Sequence, residues 1–269
     1  MLEDFTLLSF ASALESLRIA NRMAGHEAYQ WRIIGEGGEE VRCSAGSVFK
    51  LDGDLDELSR DDTMMICSGV NVQQFTTKKL LGWVRREARK GIPVAGLCTA
   101  AYTLAKAGLL DGKRATIHWE NHDSFSEEFP EVQLTKSVFV VDGNRLTTAG
   151  GTSSLDLMLK LIAKDLGEDL ANAVADQLIY SSIRTDQDTQ RLSVPTRIGV
   201  RHPKLSQVIQ IMARRFLQLP RFIMNVCRPS VGGTPHHTAP HRNIPHHTIY
   251  HTLPDHTTPH LSHHTRTAI

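Results

Sequence analysis

The residue best placed to do chemistry is Cys98, where the apolar run Val94 to Leu97 gives way to helical periodicity, with Ala101, Leu104, Ala105 and Leu109 on one face. A thiol between a strand end and a helix start faces the first unpaired amides of that helix, whose partial positive charge favours thiolate and attracts anions. That placement suits a nucleophile, a redox-sensing thiol or the floor of a ligand pocket. A small buried apolar residue is the plainer alternative. A nucleophile needs a base within about 3 Å. The following residue is Thr99, so the candidates are His118, after the short run Arg114 to Ile117, and Glu15 in the first helix. His118 reads equally as a hydrogen-bonded support for its loop, Trp119 as core rather than aromatic cage, and Glu15 as a solvated helix residue. Cys43, Cys67 and Cys227 read as structural or incidental.

Strands alternating with helices position these side chains. The first helix carries Leu7, Phe10, Leu14 and Leu17 on one stripe and ends near Gly25; strands are expected at 30–35, 47–51 and 61–69. An amphipathic helix from Thr77 to Lys90, closed by Gly91, precedes the strand leading to Cys98. Then come a turn at 108–112, a strand at 114–117, a helix at 121–129 and strands at 132–134, 138–141 and 145–148, the last two joined by the hairpin signal Asp142-Gly143-Asn144. Gly150-Gly151-Thr152-Ser153 opens a long helix with Leu155, Met158, Leu159 and Ile162 on one face, and a second helix spans 169–180. This order implies a mostly parallel sheet covered on both faces, with ligands beyond the carboxyl ends of its strands, where Cys98 falls.

A chain of 269 residues, 41% hydrophobic, holds one or two packed domains, and a net charge of +1 gives no global surplus for nucleic acid. Four scattered cysteines and no secretory leader point to reduced thiols and a cytoplasmic protein; no run of about 18 apolar residues spans a membrane. No motif implies a cofactor. Residues 184–203 read as a polar linker, 204–219 as a short helix, and 220–269 as a tail rich in Thr, Pro and His that is expected to be disordered. Its tandem histidines offer a zinc- or nickel-binding alternative. The abrupt change of composition reads better as a shifted reading frame or a misassembled gene end.

Five spaced motifs carry a resemblance: Phe10-Ala-Ser-Ala-Leu-Glu-Ser-Leu-Arg18 with Ala20-Asn21, Gly96-Leu-Cys-Thr99, Ala107-Gly-Leu-Leu-Asp-Gly112, Ala115-Thr-Ile-His-Trp-Glu-Asn121, and Ala149-Gly-Gly-Thr152 with Asp156. Residues 3 to 219 resemble AraC-type transcriptional regulators whose amino-terminal sensor is of the PfpI/ThiJ superfamily, related to class I glutamine amidotransferases. Val200-Arg-His-Pro-Lys-Leu205 is similar to the join between sensor and helix-turn-helix portion. The resemblance implies a flavodoxin-like three-layer sandwich over residues 1–183, with Cys98 at a nucleophile elbow. Enzymes of the superfamily activate that cysteine with a neighbouring histidine or an acid from the first strand-to-helix loop; Thr99 and Ser9 stand at those places here, so no turnover is expected. A cysteine-dependent hydrolase or hydratase is the alternative. The implied ligand is a small metabolite, an amino acid or a quaternary amine such as arginine, carnitine or glycine betaine, lined by Cys98, Thr99, His118, Trp119, Glu15, Gly151 and Thr152. Its carboxylate would rest on the amides after Cys98 and its cationic group would face Trp119 or Glu15.

The sequence departs from these relatives twice. They begin with an apolar strand just before the position of Leu2, so either the sheet is expected to lack a central member or the start of the chain is misassigned. They also carry two helix-turn-helix units after the helix at 205–216, where this chain has its histidine-rich text, so DNA is a partner only of an intact carboxyl-terminal domain. A homodimer is expected, with helices 155–165 and 169–180 as a candidate face.

Overall fold

The computed structural model describes residues 1–190, Leu205, Val208, Ile211 and Met212, and the backbone of Thr265–Ala268. In chain order the elements are α1 (Leu7–Ala24), β1 (Tyr29–Arg32), β2 (Glu40–Arg42), β3 (Val48–Lys50), β4 (Thr63–Cys67), α2 (Val72–Phe75), α3 (Lys78–Ala88), β5 (Val94–Leu97), α4 (Ala101–Lys106), β6 (Arg114–Ala115), α5 (His122–Glu128), β7 (Gln133–Leu134), β8 (Phe139–Asp142), β9 (Arg145–Thr148), α6 (Ser153–Leu166), α7 (Glu168–Gln177) and β10 (Thr265–Ala268).

The central strands explain the layering. On β4 and β5, Met64, Ile66 and Val94 point into a core with Trp83, Leu104 and Phe125, while Met65, Cys67, Ala95 and Leu97 point into another with Leu17, Leu157 and Ile162. Strands buried on both faces read as unbroken apolar runs, which is why both were legible in the sequence. Helices α1, α6 and α7 cover one face and α3, α4 and α5 the other, giving the flavodoxin-like sandwich. The six-stranded sheet has the order β1-β10-β4-β5-β9-β8. Its pairings are parallel except β8 with β9, the expected hairpin. Local signals end the helices: Gly25 adopts a left-handed conformation after α1, and the Thr77 hydroxyl accepts from the Leu80 amide at 3.0 Å to cap α3.

Two segments depart from the sequence reading. Thr265–Ala268, inside the tail expected to be disordered, is a strand paired with Tyr29–Arg32 on one side and with Thr63 and Met64 on the other. It fills the place where a central strand was expected to be missing. Above it the Met1 amine donates to the Ile34 carbonyl at 2.6 Å, and the Leu2 amide to the Cys67 carbonyl at 3.0 Å. Unpaired edges of β1 and β4 would otherwise leave a row of buried amides and carbonyls without partners.

The second departure lies at the start of the expected linker. Arg184 to Gln190 is fastened to the domain by Asp156, Val138 and Lys136. Anchors of this kind, one to a side chain and two to backbone, carry no period. The rest of the expected linker and tail, Cys227 included, lies outside the described residues. Of the expected helix at 204–219, Leu205, Val208, Ile211 and Met212 are helical and exposed. Among the described residues no helix is long and apolar enough to cross a membrane.

Candidate functional site at Cys98

Between β5 and α4 the backbone turns so sharply that Cys98 takes φ +63°, a left-handed conformation that costs a side-chain-bearing residue energy. A short 3-10 turn, Cys98–Ala100, then leads into α4. The turn closes because residue 96 is glycine: a Cβ there would lie 3.0 Å from the Ala101 nitrogen and 3.1 Å from the Ala100 carbonyl carbon. Gly150, at φ +95°, passes directly over the thiol, and a Cβ on it would sit 2.6 Å from Cys98 Sγ. This is the elbow that the sequence implied.

Hydroxyl and amide groups surround the sulfur. Thr6 Oγ1 is 3.5 Å from Sγ, and Ser9 and the Thr99 amide also bond it. The Cys98 amide donates to Thr148 Oγ1 at 3.3 Å, which contacts Ser154 Oγ at 3.2 Å. Gly151 donates its amide to Ser9 Oγ at 2.8 Å, tying the loop before α6 to the start of α1. Burial pushes the Cys98 thiol above its ordinary value, against the bonds from Thr6, Thr99 and Ser9, and the charge of Glu120 adds to the push. At neutral pH it holds less thiolate than the few per cent of a free cysteine.

The sequence-selected residues divide. Gly151 and Thr152 belong to the loop over Cys98, but Thr99 Oγ1 is engaged within the fold, donating to the Gly69 carbonyl at 2.6 Å and contacting Ser68 Oγ at 2.8 Å. His118 Nδ1 accepts from the Glu120 amide at 3.5 Å and lies 3.7 Å from its carboxylate; among the described residues no imidazole bonds Cys98. The looser reading of His118, a support for its own loop, matches this geometry. Trp119, expected in the core, is 43% exposed, its ring 5.6 Å from that of His118. Three residues, 116–118, separate it from the end of the short strand β6 and leave it at the surface. Glu15 is half-buried on α1 and held by Arg18, apart from the groups that touch the thiol. Six residues further along the helix than Ser9, it lies about 9 Å along the axis from it.

Thr6, Thr148 and Glu120 were not singled out from the sequence. Thr6 is the residue before α1 and Thr148 ends the strand beside β5. Of the three only Thr148, at a carboxyl strand end, carried a positional signal. Among the described residues no cluster of His, Cys, Asp or Glu could hold a metal ion.

The DJ-1/PfpI family profile matches residues 2–164. The chain is 42% identical over 214 residues to the HTH-type transcriptional regulator CdhR of Pseudomonas aeruginosa, covering 80% of this chain and 63% of that protein. It is 37% identical over 212 residues to the HTH-type transcriptional regulator GbdR of the same species, covering 79% and 58%. The chain thus spans about three-fifths of the length of these relatives. The isonitrile hydratase of Pseudomonas putida is 37% identical over 144 residues, 52% of this chain and 61% of that protein. Among solved structures, an AraC family transcriptional regulator from Pseudomonas putida superposes with a TM-score of 0.59 at 28% identity, covering 66% of this chain and 95% of that one. An elbow cysteine in a flavodoxin-like sheet and a profile match across most of that sheet lead to one conclusion: the chain belongs to the DJ-1/PfpI family.

Proposed function

We propose that this chain is the ligand-sensing part of an AraC-type transcriptional regulator of amino-acid or quaternary-amine metabolism, which holds a small metabolite beside Cys98 without transforming it. One observation carries the reading: the elbow thiol is buried, pushed toward its protonated form, and bonded by hydroxyls and an amide where a nucleophile would need a base. The likeness to CdhR and GbdR over the same residues supports the regulatory role. A cationic ligand is favoured by the Glu120 carboxylate, whose charge reaches Cys98, and by the neighbouring exposed Trp119 indole. DNA reading, in the intact protein, belongs to a region beyond residue 204. A homodimer remains part of the proposal, but the apolar stripes of α6 and α7 are buried within the domain, so a face there would use their outer sides.

The test is titration of the full chain with arginine, carnitine and glycine betaine by calorimetry and thermal unfolding. Saturable binding of one of them is expected, with stabilisation of about 2.7 kcal/mol at a hundredfold excess over Kd and no product. Binding of none of them would sink the proposed ligand class. The second reading, a hydrolase or hydratase, draws on the likeness to isonitrile hydratase. Turnover of an isonitrile, amide or aldehyde that disappears in Cys98→Ala would install it instead.

A further inference from the structure

The segment Arg184 to Gln190 crosses the domain from one loop of the site to another. At its start Arg184 meets the fully buried Asp156: its Nε donates to Oδ2 at 2.9 Å and its backbone amide to Oδ1 at 2.8 Å. Tyr180 donates its hydroxyl to the same Oδ1 at 3.0 Å. Arg184 Nη2 reaches further, donating to Thr152 Oγ1 at 2.8 Å. Thr152 stands two residues after Gly150, which lies against the thiol, and next to Gly151, which is bonded to Ser9.

At its end Gln190 Nε2 donates to the Ile117 carbonyl and to Thr116 Oγ1, each at 2.9 Å. Ile117 is the residue before His118, so this anchor holds the loop carrying His118, Trp119 and Glu120. Between the two anchors Val138 donates its amide to the Asp188 carbonyl at 2.9 Å, and Gln190 its amide to that of Lys136 at 3.0 Å. The strap therefore ties both loops that flank Cys98 and runs directly into the chain beyond 190.

Its two ends are unequal. Asp156 is matched by Arg184, Tyr180 and a backbone amide. At the other end, among the described residues, Gln190 Oε1 and Thr135 Oγ1 are buried with no hydrogen-bond partner. Polar atoms buried without partners disfavour the closed arrangement, and release of that end returns them to water.

We infer that Arg184–Gln190 is the coupling element of the domain: a group placed against Cys98 displaces the Gly150–Thr152 and His118–Glu120 loops and frees the strap from its Gln190 end. It rests on the sensing reading for its purpose, but not for its test, which needs no metabolite.

Full-length protein is treated with iodoacetamide, whose adduct on Cys98 stands in for an occupant, and amide hydrogen exchange is compared before and after. Exchange at Arg184, Gln190 and Val138 is expected to quicken at least about fivefold, the lower end of ordinary couplings between sites, with Ile66 and Ala95 unchanged. Loosening the strap from its other end, Gln190→Ala should raise the alkylation rate of Cys98 while Cys67, fully buried in β4, stays unlabelled. Gln190 is chosen because replacing Arg184 leaves the Asp156 charge buried without its cation and risks unfolding. An adduct that leaves exchange in the strap unchanged, or a Gln190→Ala protein in which Cys98 and Cys67 label faster together, overturns the inference. Failure of the arginine, carnitine and betaine titrations would bear on the ligand class and leave this result standing.

Discussion

Replacing Gly150 by Ala tests the geometry over the thiol directly. Two costs combine. At φ +95° an L-residue is strained, by roughly 1–2 kcal/mol. The new methyl would also meet Cys98 at three points, 2.6 Å from Sγ, 2.9 Å from Cβ and 3.1 Å from Cα, and overpacking of this kind costs about 1–3 kcal/mol. The expected loss is therefore about 2–5 kcal/mol, read by equilibrium urea unfolding. A double-mutant cycle separates the two parts. Cys98→Gly removes both Sγ and Cβ, so in its background Gly150→Ala should recover most of the contact cost and retain the backbone cost and the 3.1 Å contact with Cα. The coupling is expected to favour the double variant by about 1–3 kcal/mol. Additivity within about 0.5 kcal/mol would show that residue 150 does not lie against the thiol, and the description of the site would fall with it.

Alkylation of Cys98 should keep rising with pH beyond the value of about 8.5 at which a free cysteine half-ionises, because burial holds the thiol protonated; a rate that levels off below pH 8 would contradict this. The same burial acts on Cys67 and fixes a sign for stability: both thiols are pushed up in the folded protein, so above about pH 8.5 the unfolded chain ionises first and stability falls as pH rises. Cys67→Ala should flatten that slope in urea titrations, and an unchanged slope would refute its assignment. Gly96→Ala is expected to cost about 1–3 kcal/mol, since the contacts at 3.0 and 3.1 Å are with backbone that cannot rotate away; a loss within 0.5 kcal/mol, on the scale of a neutral surface change, would show that α4 does not press on β5 there. Deleting residues 262–269 strips β10 from between β1 and β4 and should lower Tm and promote self-association through the exposed edges. A truncated protein of unchanged Tm that remains monodisperse would remove β10 from the sheet.

What the sequence disclosed about this molecule follows from the range of each interaction. Val94 to Leu97 and Thr63 to Cys67 announce themselves because a strand covered on both faces has no polar alternation to hide it. Asp142-Gly143-Asn144 marks its hairpin because residue 143 takes φ +63°, which glycine adopts without penalty. These are local rules. The β10 pairing joins residues more than two hundred positions apart through backbone groups, and a segment of Thr, Arg and Ala carries no pattern that reveals it.

The site divides along the same line. Cys98 was found because strand and helix periods meet at it, and Gly151 and Thr152 because a glycine pair precedes a helix. Thr6 precedes α1, Thr148 ends β9 and Glu120 lies in the turn after β6, and only the fold brings the three toward the thiol. Asp156 shows how this matters for function. In the sequence it is one acidic residue in the first turn of a helix, where it would favour the helix dipole. In the fold it is wholly buried, and its charge is tolerable only because Arg184 and Tyr180 reach it. A carboxylate that needs a distant arginine fixes where residue 184 must lie, and hence where the chain leaves the domain. The loop over Cys98 and the residue that directs the exit are thus joined through the first turn of α6, a connection no sequence period could express.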